Sequence, residues 1–176
     1  VPGGEKLLAV MVQLKEKGLV DKIGVSVYDS MQLDAVLEKF TPDLIQLPLS
    51  VFDQRMLKSG HLERLKNAGV EIHVRSVFLQ GLLLMPLCDI PVFFEPIRPL
   101  LIRWHAAAEA QGLTVNQAAL AFVKNILYVD IVLVGLDNLL HFRSCVDDFS
   151  IEGNFDAAGL ACNDPLFVNP SRWQIK

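Results

Sequence analysis

Apolar positions along this chain alternate between a helical and a strand-like period. Over residues 5–17, Leu7, Leu8, Met11, Val12 and Leu14 fall on one side, opposite Lys6, Gln13 and Lys17. That spacing predicts an amphipathic helix, and Gly18 suits a left-handed cap at its end. Residues 22–27, Lys-Ile-Gly-Val-Ser-Val, are β-branched and nearly continuously apolar. They predict a strand covered on both faces. Asp29 or Ser30 is placed to cap a helix over 31–39 that turns Leu33, Val36 and Leu37 inward. Pro42 blocks further helix, and Asp-Leu-Ile-Gln-Leu at 43–47 predicts the next strand. A loop holding Pro48 and Asp53 leads to a helix over 55–67 that ends near Gly69, and Val-Glu-Ile-His-Val-Arg at 70–75 predicts a third strand. Residues 97–111 predict a helix stopped at Gly112. Thr114 with Gln117 forms a capping box for a helix over 115–126. Val-Asp-Ile-Val-Leu-Val at 129–134 predicts a fourth strand, and Gly135 and Asp137 open a helix to about 146. From Phe149 the pattern weakens, with one short helix over 155–161 and an irregular tail.

Strands alternating with helices at these spacings predict a parallel sheet of βα units. Two architectures compete: an open doubly wound sheet, and a piece of a (β/α)8 barrel. The first strand runs into Gly24-Val-Ser-Val-Tyr-Asp rather than G-x-G-x-x-G, and no G-x-x-x-x-G-K-[ST] occurs. A dinucleotide fold with its phosphate site at a helix end therefore has no support. The pattern opens with a helix that has no strand before it, and a complete barrel takes about 250 residues. Four strand candidates in 176 residues predict half of such a barrel, its C-terminal half. Pro86, Pro91, Pro96 and Pro99 punctuate a long segment after the third strand. Loops of that length are more often functional than not.

Composition narrows the class. The chain is 52% hydrophobic, enough for one sizeable core, yet its apolar runs are broken by Lys, Asp, Arg or Pro. None reaches the roughly 18 residues of a membrane span. Sixteen basic and 20 acidic residues give a net charge of −4, with no basic stripe for nucleic acid. Cys88, Cys145 and Cys162 show no C-x-x-C spacing, so neither a zinc ribbon nor a disulfide framework is indicated. The opening Val-Pro-Gly-Gly-Glu-Lys has no signal-peptide pattern, which makes the cytoplasm the expected compartment. Asp147-Asp148 reads as a solvated pair with no third ligand nearby, so no metal is expected.

Five segments resemble the aldo/keto reductase family. Lys22-Ile-Gly-Val-Ser-Val-Tyr-Asp is similar to its K-I-R-x-I-G-V-S-N-F run. Pro42-Asp-Leu-Ile-Gln-Leu-Pro-Leu is similar to P-D-x-x-Q-x-x-Y. Val70-Glu-Ile-His-Val-Arg-Ser-Val-Phe-Leu-Gln-Gly-Leu-Leu resembles G-I-x-V-x-A-Y-S-P-L-A-Q-G-L-L. Thr114-Val-Asn-Gln-Ala-Ala-Leu-Ala-Phe resembles T-P-A-Q-V-A-L-A-W, and Ile131-Val-Leu-Val-Gly-Leu-Asp-Asn resembles the last strand and its cofactor loop. In the family's order and spacing, over residues 5 to about 150, they form a specific signal. The resemblance implies an α/β fold, a (β/α)8 TIM barrel of aldo/keto reductase type, with this chain covering roughly the second half. It divides the chain into residues 1–150, the C-terminal half-barrel, and 151–176, an extension packing on or near the cofactor side.

The family reduces carbonyls with NADPH, or with NADH as the alternative, using an Asp, Tyr, Lys and His on the first half of its barrel. Tyr28 and Tyr128 are the only tyrosines here and neither matches the family's catalytic position. The resemblance therefore implies no catalytic residue in this chain, which alone is expected to be inactive, and a cofactor-binding role instead. Ser26 and Gln46 match the residues that hydrogen-bond the nicotinamide carboxamide, with Val27 replacing a common Asn. Arg75 stands where many members stack a Tyr on the nicotinamide. Ser76 and Gln80 lie in the loop that contacts the pyrophosphate. Gly135 and Asp137 begin the last loop, where Asp137 would repel a 2′-phosphate and accept ribose hydroxyls. His141 and Arg143 are the nearby cations, and Cys145 sits where an adenine-contacting Asn is frequent. The expected partners are a small carbonyl substrate and either a missing N-terminal half or a second copy of the chain; the alternative reading is a non-catalytic half-barrel that self-associates. His73 reads as hydrogen-bonded structure, His61 and His105 as solvated helix residues, and Trp104 as core.

Overall fold

The computed structural model describes residues 4–174; the opening Val-Pro-Gly, part of the stretch without a signal-peptide pattern, lies outside the described residues, as do Ile175 and Lys176. Helix α1 (Gly4–Glu16) precedes strand β1 (Gly24–Ser26) and helix α2 (Ser30–Leu37). Strand β2 (Leu44–Pro48) is followed by α3 (Arg55–Lys58) and α4 (His61–Asn67), then by β3 (Glu71–Arg75). After three short 3-10 turns at Leu82–Leu84, Leu87–Asp89 and Val92–Ile97 come α5 (Arg98–Ala110) and α6 (Val115–Lys124). Strand β4 (Ile131–Val132), α7 (Leu139–Ser150), α8 (Pro165–Val168) and a 3-10 turn at Pro170–Arg172 complete the order.

All four strands are parallel and lie in sequence order, β1-β2-β3-β4. A doubly wound sheet reverses its strand order at a switch point; this one does not. With crossovers of the usual right hand, every connecting helix falls on the same face. Burial agrees. Ile45, Leu47, Ile72 and Val74 are fully buried, while Leu44, Gln46, Glu71, His73 and Arg75, alternating with them, are only half-buried. The expectation of a strand covered on both faces fails at β1, where Ser26 is exposed. Only one face carries helices, so the other shows the polar half of the alternation.

The edge strands are shorter than their apolar runs. Residues 129–134 yield a two-residue β4, and 22–27 a three-residue β1, because each pairs on one side only. The helices beside those edges are poorly covered: neither α1 nor α7 buries a single described residue. The inner helices do, through Leu33 of α2, Leu62 and Leu65 of α4, and Leu101 and Trp104 of α5.

Two aspartates fasten the strand starts. Asp43 accepts the Ile23 N–H at 2.8 Å and the Lys15 ammonium at 2.5 Å. Asp130 accepts the Ile72 N–H and the Lys66 ammonium, each at 2.7 Å. Each aspartate enters a strand and holds the start of its neighbour. The Lys15 and Ile23 bonds hold the Asp43 carboxyl below the usual carboxylate range. Burial pushes Asp130 up, but its bonds to Lys66 and Ile72 outweigh that and hold it low as well.

Several local expectations are corrected. The helix over 55–67 is two helices, broken at Ser59-Gly60, where Gly60 takes a left-handed φ of 77°. No helix forms over 155–161; Gly159 at φ 74° interrupts it. A helix starts instead at Pro165, capped by the Asp164 side chain on Leu166 N–H at 2.9 Å. The proline-rich stretch becomes 3-10 turns, which tolerate its missing N–H groups. Neither helical histidine is simply solvated: His61 pairs with Ser59 Oγ at 2.6 Å, and His105 buries Nε2 without a partner, its pKa lowered by that burial.

Residues past 150 belong to the same core. Phe155 packs edge-on to Trp104, and Phe167 and Trp173 pack on Phe93 and Phe94 in the segment after β3. Cys162 N–H donates to Phe52 O, in the loop leaving β2, at 2.8 Å.

Gly24 carries a specific requirement. A Cβ there would stand 2.2 Å from the Leu44 carbonyl oxygen and 2.6 Å from Leu44 Cγ. Relief means moving backbone in the β1–β2 ladder. Gly24→Ala is expected to destabilise the fold by about 1–3 kcal/mol, read as a lowered urea midpoint at unchanged slope.

Candidate functional site

The C-terminal ends of β2, β3 and β4 open onto a cavity of about 1040 Å³. Parallel α/β sheets bind their ligands at this end, where the strands stop and helices begin. Gln46 enters from β2, Arg75 and Ser76 from the end of β3, Gln80 from the loop beyond, and Gly135 and Asp137 from the loop after β4. His141, Ser144 and Cys145 enter from α7.

Six of the predicted cofactor residues thus share one groove: Gln46, Arg75, Ser76, Gln80, Gly135 and Asp137. Ser26 is not on its wall but stands level with Gln46 in the ladder, and its Oγ donates to Gln46 Oε1 at 3.3 Å. Arg143 does not line it. The face of α7 toward the groove carries His141, Ser144 and Cys145, and Arg143 lies two residues from His141, on the far side of the turn.

Arg75 is held by three contacts. Its guanidinium donates to Val27 O and to Ser76 Oγ, each at 3.3 Å, and lies 4.4 Å from the centre of the Tyr28 ring. The last is a cation–π contact. No carboxylate among the described residues pairs with it. The other ionic groups on this face are mutually satisfied: His73 Nε2 meets Glu71 Oε1 at 2.6 Å, and Lys22 donates to Glu71 as well. Those bonds, from His73 first and then Lys22, hold the Glu71 carboxyl low.

The loop after β3 is strained. Ser76, Leu79 and Gln80 all take left-handed φ values, 62°, 47° and 54°, before Gly81 at 86°. For non-glycine residues that conformation costs on the order of 1–2 kcal/mol each. The N–H groups of Val77, Phe78 and Gln80 find no hydrogen-bond partner among the described residues. A strained loop with unspent donors beside a cavity is a recurring form of anion site.

Sequence reasoning missed Asn116 and Ser144, and it misread Asp148. Asp148 is not a solvated residue. It accepts from the side chains of Asn116, Gln117 (3.0 Å) and Ser144 (3.3 Å), tying α6 to α7 beside the groove. Two signals were present: Asn116 follows the Thr114 cap by two residues, and Ser144 and Asp148 stand four apart on one helix face. Burial, then the charge of Asp148, pushes the Cys145 thiol up. Among the described residues no group of three or more His, Cys, Asp or Glu is placed to hold a metal ion, and no helix is long and apolar enough to cross a membrane.

A model of the aldo/keto reductase family matches residues 4–158, and the chain belongs to that family. Among solved structures it is similar to the aldo-keto reductase AKR11C1 from Bacillus halodurans. The holo form gives a TM-score of 0.69 at 18% identity, over 84% of this chain and 50% of that one. The apo form gives 0.68 at 19%, over 80% and 49%. The thermostable aldo-keto reductase Tm1743, solved with the inhibitor epalrestat, gives 0.63 at 21%, over 87% and 52%. The chain spans about half the length of these structures, and at such identities the likeness shows the fold, an α/β fold of TIM-barrel type. No curated protein matches it.

Because α7 has no fully buried residue, its seat leans on the Asp148 bonds and on the Lys124 bond to Phe149 O at 2.8 Å. Asp148→Ala is expected to cost about 1–3 kcal/mol. It should speed amide hydrogen exchange over 139–150 while leaving α4 unchanged.

Proposed function

We propose that this chain is the cofactor-binding second half of an NAD(P)H-dependent aldo/keto reductase barrel, and that the complete protein reduces a small-molecule carbonyl. The observation that carries the reading is the sequential parallel sheet whose strand ends put Gln46, Arg75, Ser76, Gln80, Gly135 and Asp137 around one cavity. Residues 1–150 form the half-barrel in this reading. Residues 151–176 form an extension on the cofactor side, in keeping with the Cys162–Phe52 bond and the aromatic contacts to Phe93 and Phe94.

The groove's residues fit a dinucleotide. A carboxamide offers a donor and an acceptor. Gln46 keeps its amide N–H groups free among the described residues, and Ser26 Oγ keeps lone pairs free while donating to Gln46. The two side chains fix each other's orientation, so the site is preset. The unspent N–H groups of Val77, Phe78 and Gln80 suit a pyrophosphate. Asp137 faces the same cavity as His141 and favours ribose hydroxyls over a 2′-phosphate, so NADH stands beside NADPH as cofactor. When bound, the nicotinamide supplies hydride to the carbonyl carbon. In this reading the chain's residues bind and orient, and the proton comes from elsewhere, since neither Tyr28 nor Tyr128 stands at the family's acid position. The Asp, Tyr, Lys and His of the family's chemistry belong to the first half of the barrel, and the compartment we assign is the cytoplasm.

Loss of the carboxamide bonds sets the size of the test. Gln46→Ala in the complete protein is expected to weaken NADPH binding about tenfold in a fluorescence titration. Wild-type protein that binds neither NADPH nor NADH would end the reading.

One observation favours a second reading, a non-catalytic half-barrel that pairs with its own copy. Both sheet edges, β1 and β4, are open, and α1 and α7 beside them bury nothing. Two copies about a two-fold along the barrel axis would set each β4 beside the other's β1, parallel, making eight strands. Native mass spectrometry of the 176-residue chain is expected to give monomer if the upstream half is the natural partner, and a dimer if the second reading holds.

A further inference from the structure

We propose that Arg75 sets which redox form of the nicotinamide the groove holds more tightly, and that it favours the reduced form. The inference rests on the cofactor-binding reading and deepens it. Arg75 stands at the end of β3, two residues beyond His73, the ladder partner of Gln46, and lines the same groove as Gln46 and Ser76, where that reading puts the nicotinamide. Two features make its charge count. It is fixed, since Val27 O, Ser76 Oγ and the Tyr28 ring hold the guanidinium from β1 and from its own loop. It is also uncompensated: the nearest acid on the same strand, Glu71, is already taken by His73 and Lys22, and no carboxylate among the described residues pairs with Arg75 itself. Asp137 is the one acid on the groove wall, and it enters from the loop after β4 and is exposed to solvent.

The oxidised nicotinamide ring carries a positive charge and the reduced ring carries none. The rest of the dinucleotide is the same in both forms. A fixed cation beside the ring therefore disfavours the oxidised form relative to the reduced one, while its stacking and its attraction for the phosphates are common to both. Two unit charges about 4 Å apart repel, even in bulk water, by enough to move an equilibrium about fivefold, and a half-buried site strengthens this. A planar guanidinium also stacks on a ring, so Arg75 retains the packing a tyrosine would give while adding the charge.

The test is the ratio of dissociation constants for NADP+ and NADPH, and for NAD+ and NADH, measured by calorimetry and fluorescence on the complete protein. Wild type is expected to favour the reduced form. Arg75→Tyr and Arg75→Gln are expected to narrow the ratio about fivefold or more, mainly by tightening the oxidised form, and Arg75→Lys to preserve it. An unchanged ratio in whichever of the two neutral variants retains native circular dichroism overturns the proposal while leaving cofactor binding intact. Wild-type protein that binds no nicotinamide dinucleotide overturns both this proposal and the reading beneath it.

Discussion

The structure depends on a parallel ladder whose register is pinned where the strands begin. Asp43 takes the Ile23 N–H and Asp130 takes the Ile72 N–H, so the starts of β1 and β2, and of β3 and β4, are fastened to each other. Register in a parallel sheet decides which side chains face the helices, and a slip of one residue would turn all of them over. With the register held, Ile45, Leu47, Ile72 and Val74 meet the helices, and Ser26, Gln46 and His73 line up in one row on the other face. The groove inherits that row. The Ser26–Gln46 bond exists because the ladder sets those two residues level, and Arg75 reaches Val27 O because β1 and β3 end near the same height on either side of β2.

The groove then departs from regular structure in a defined place. The loop after β3 holds three left-handed non-glycine residues, Ser76, Leu79 and Gln80, before Gly81 and leaves several N–H groups unspent among the described residues. A loop free to relax would not keep such a conformation. It is kept here because the buried Leu79, Leu82 and Leu83 fix the loop from below, and Trp104 Nε1–H donates to Leu83 O at 2.8 Å. Burial of that indole and of the leucines offsets the backbone strain. The opposite wall rests on a different principle. Helix α7 has no fully buried side chain and is seated largely by polar bonds, those converging on Asp148 and those from Lys124 to the Phe149 and Ile151 carbonyls. One wall is held through packing and the other mainly through polar bonds, which makes α7 the more easily moved of the two.

Much of this was legible in the chain. The alternation of helix and strand, the Thr114–Gln117 capping box, the Asp29 cap and the left-handed Gly18 follow from local rules that the fold does not override. The groove residues of β2 and β3 were legible because they sit at motif positions of a resembled family. What was not legible has physical causes. Strand length at the edges depends on having a neighbour, and residues 129–134 carry no sign that one side is bare. The break at Gly60 and the absent helix over 155–161 turn on single glycines whose left-handed φ only the surrounding packing selects. Arg143 was assigned by nearness in sequence, whereas helix geometry turns His141, Ser144 and Cys145 toward the groove instead. Asp148 was read as solvated because its three donors come from two helices, and that is a tertiary fact.

On the proposed half-barrel reading, the distribution of surplus surface bears on where a partner would dock. The bare face of the sheet is largely polar and satisfied: Glu71, His73 and Lys22 bond one another, and Ser26 bonds Gln46. Apolar surface left in water lies instead at the two flanks. Leu139, Phe142, Val146 and Phe149 recur at helical spacing along α7, and Leu7, Val10 and Leu14 along α1, all exposed. Burying an exposed leucine or phenylalanine stabilises by about 1.5–3 kcal/mol, so the gain from a partner concentrates at the edges. A partner that merely filled the concavity would bury satisfied polar groups and leave the helices wet. One that continues the sheet from β4 and β1 would pair both edges and cover the flanking stripes while leaving the row of Ser26, Gln46 and His73, with Arg75 two residues beyond, on the uncovered face. In that reading Arg75, which pairs with no carboxylate among the described residues, stays open to the groove.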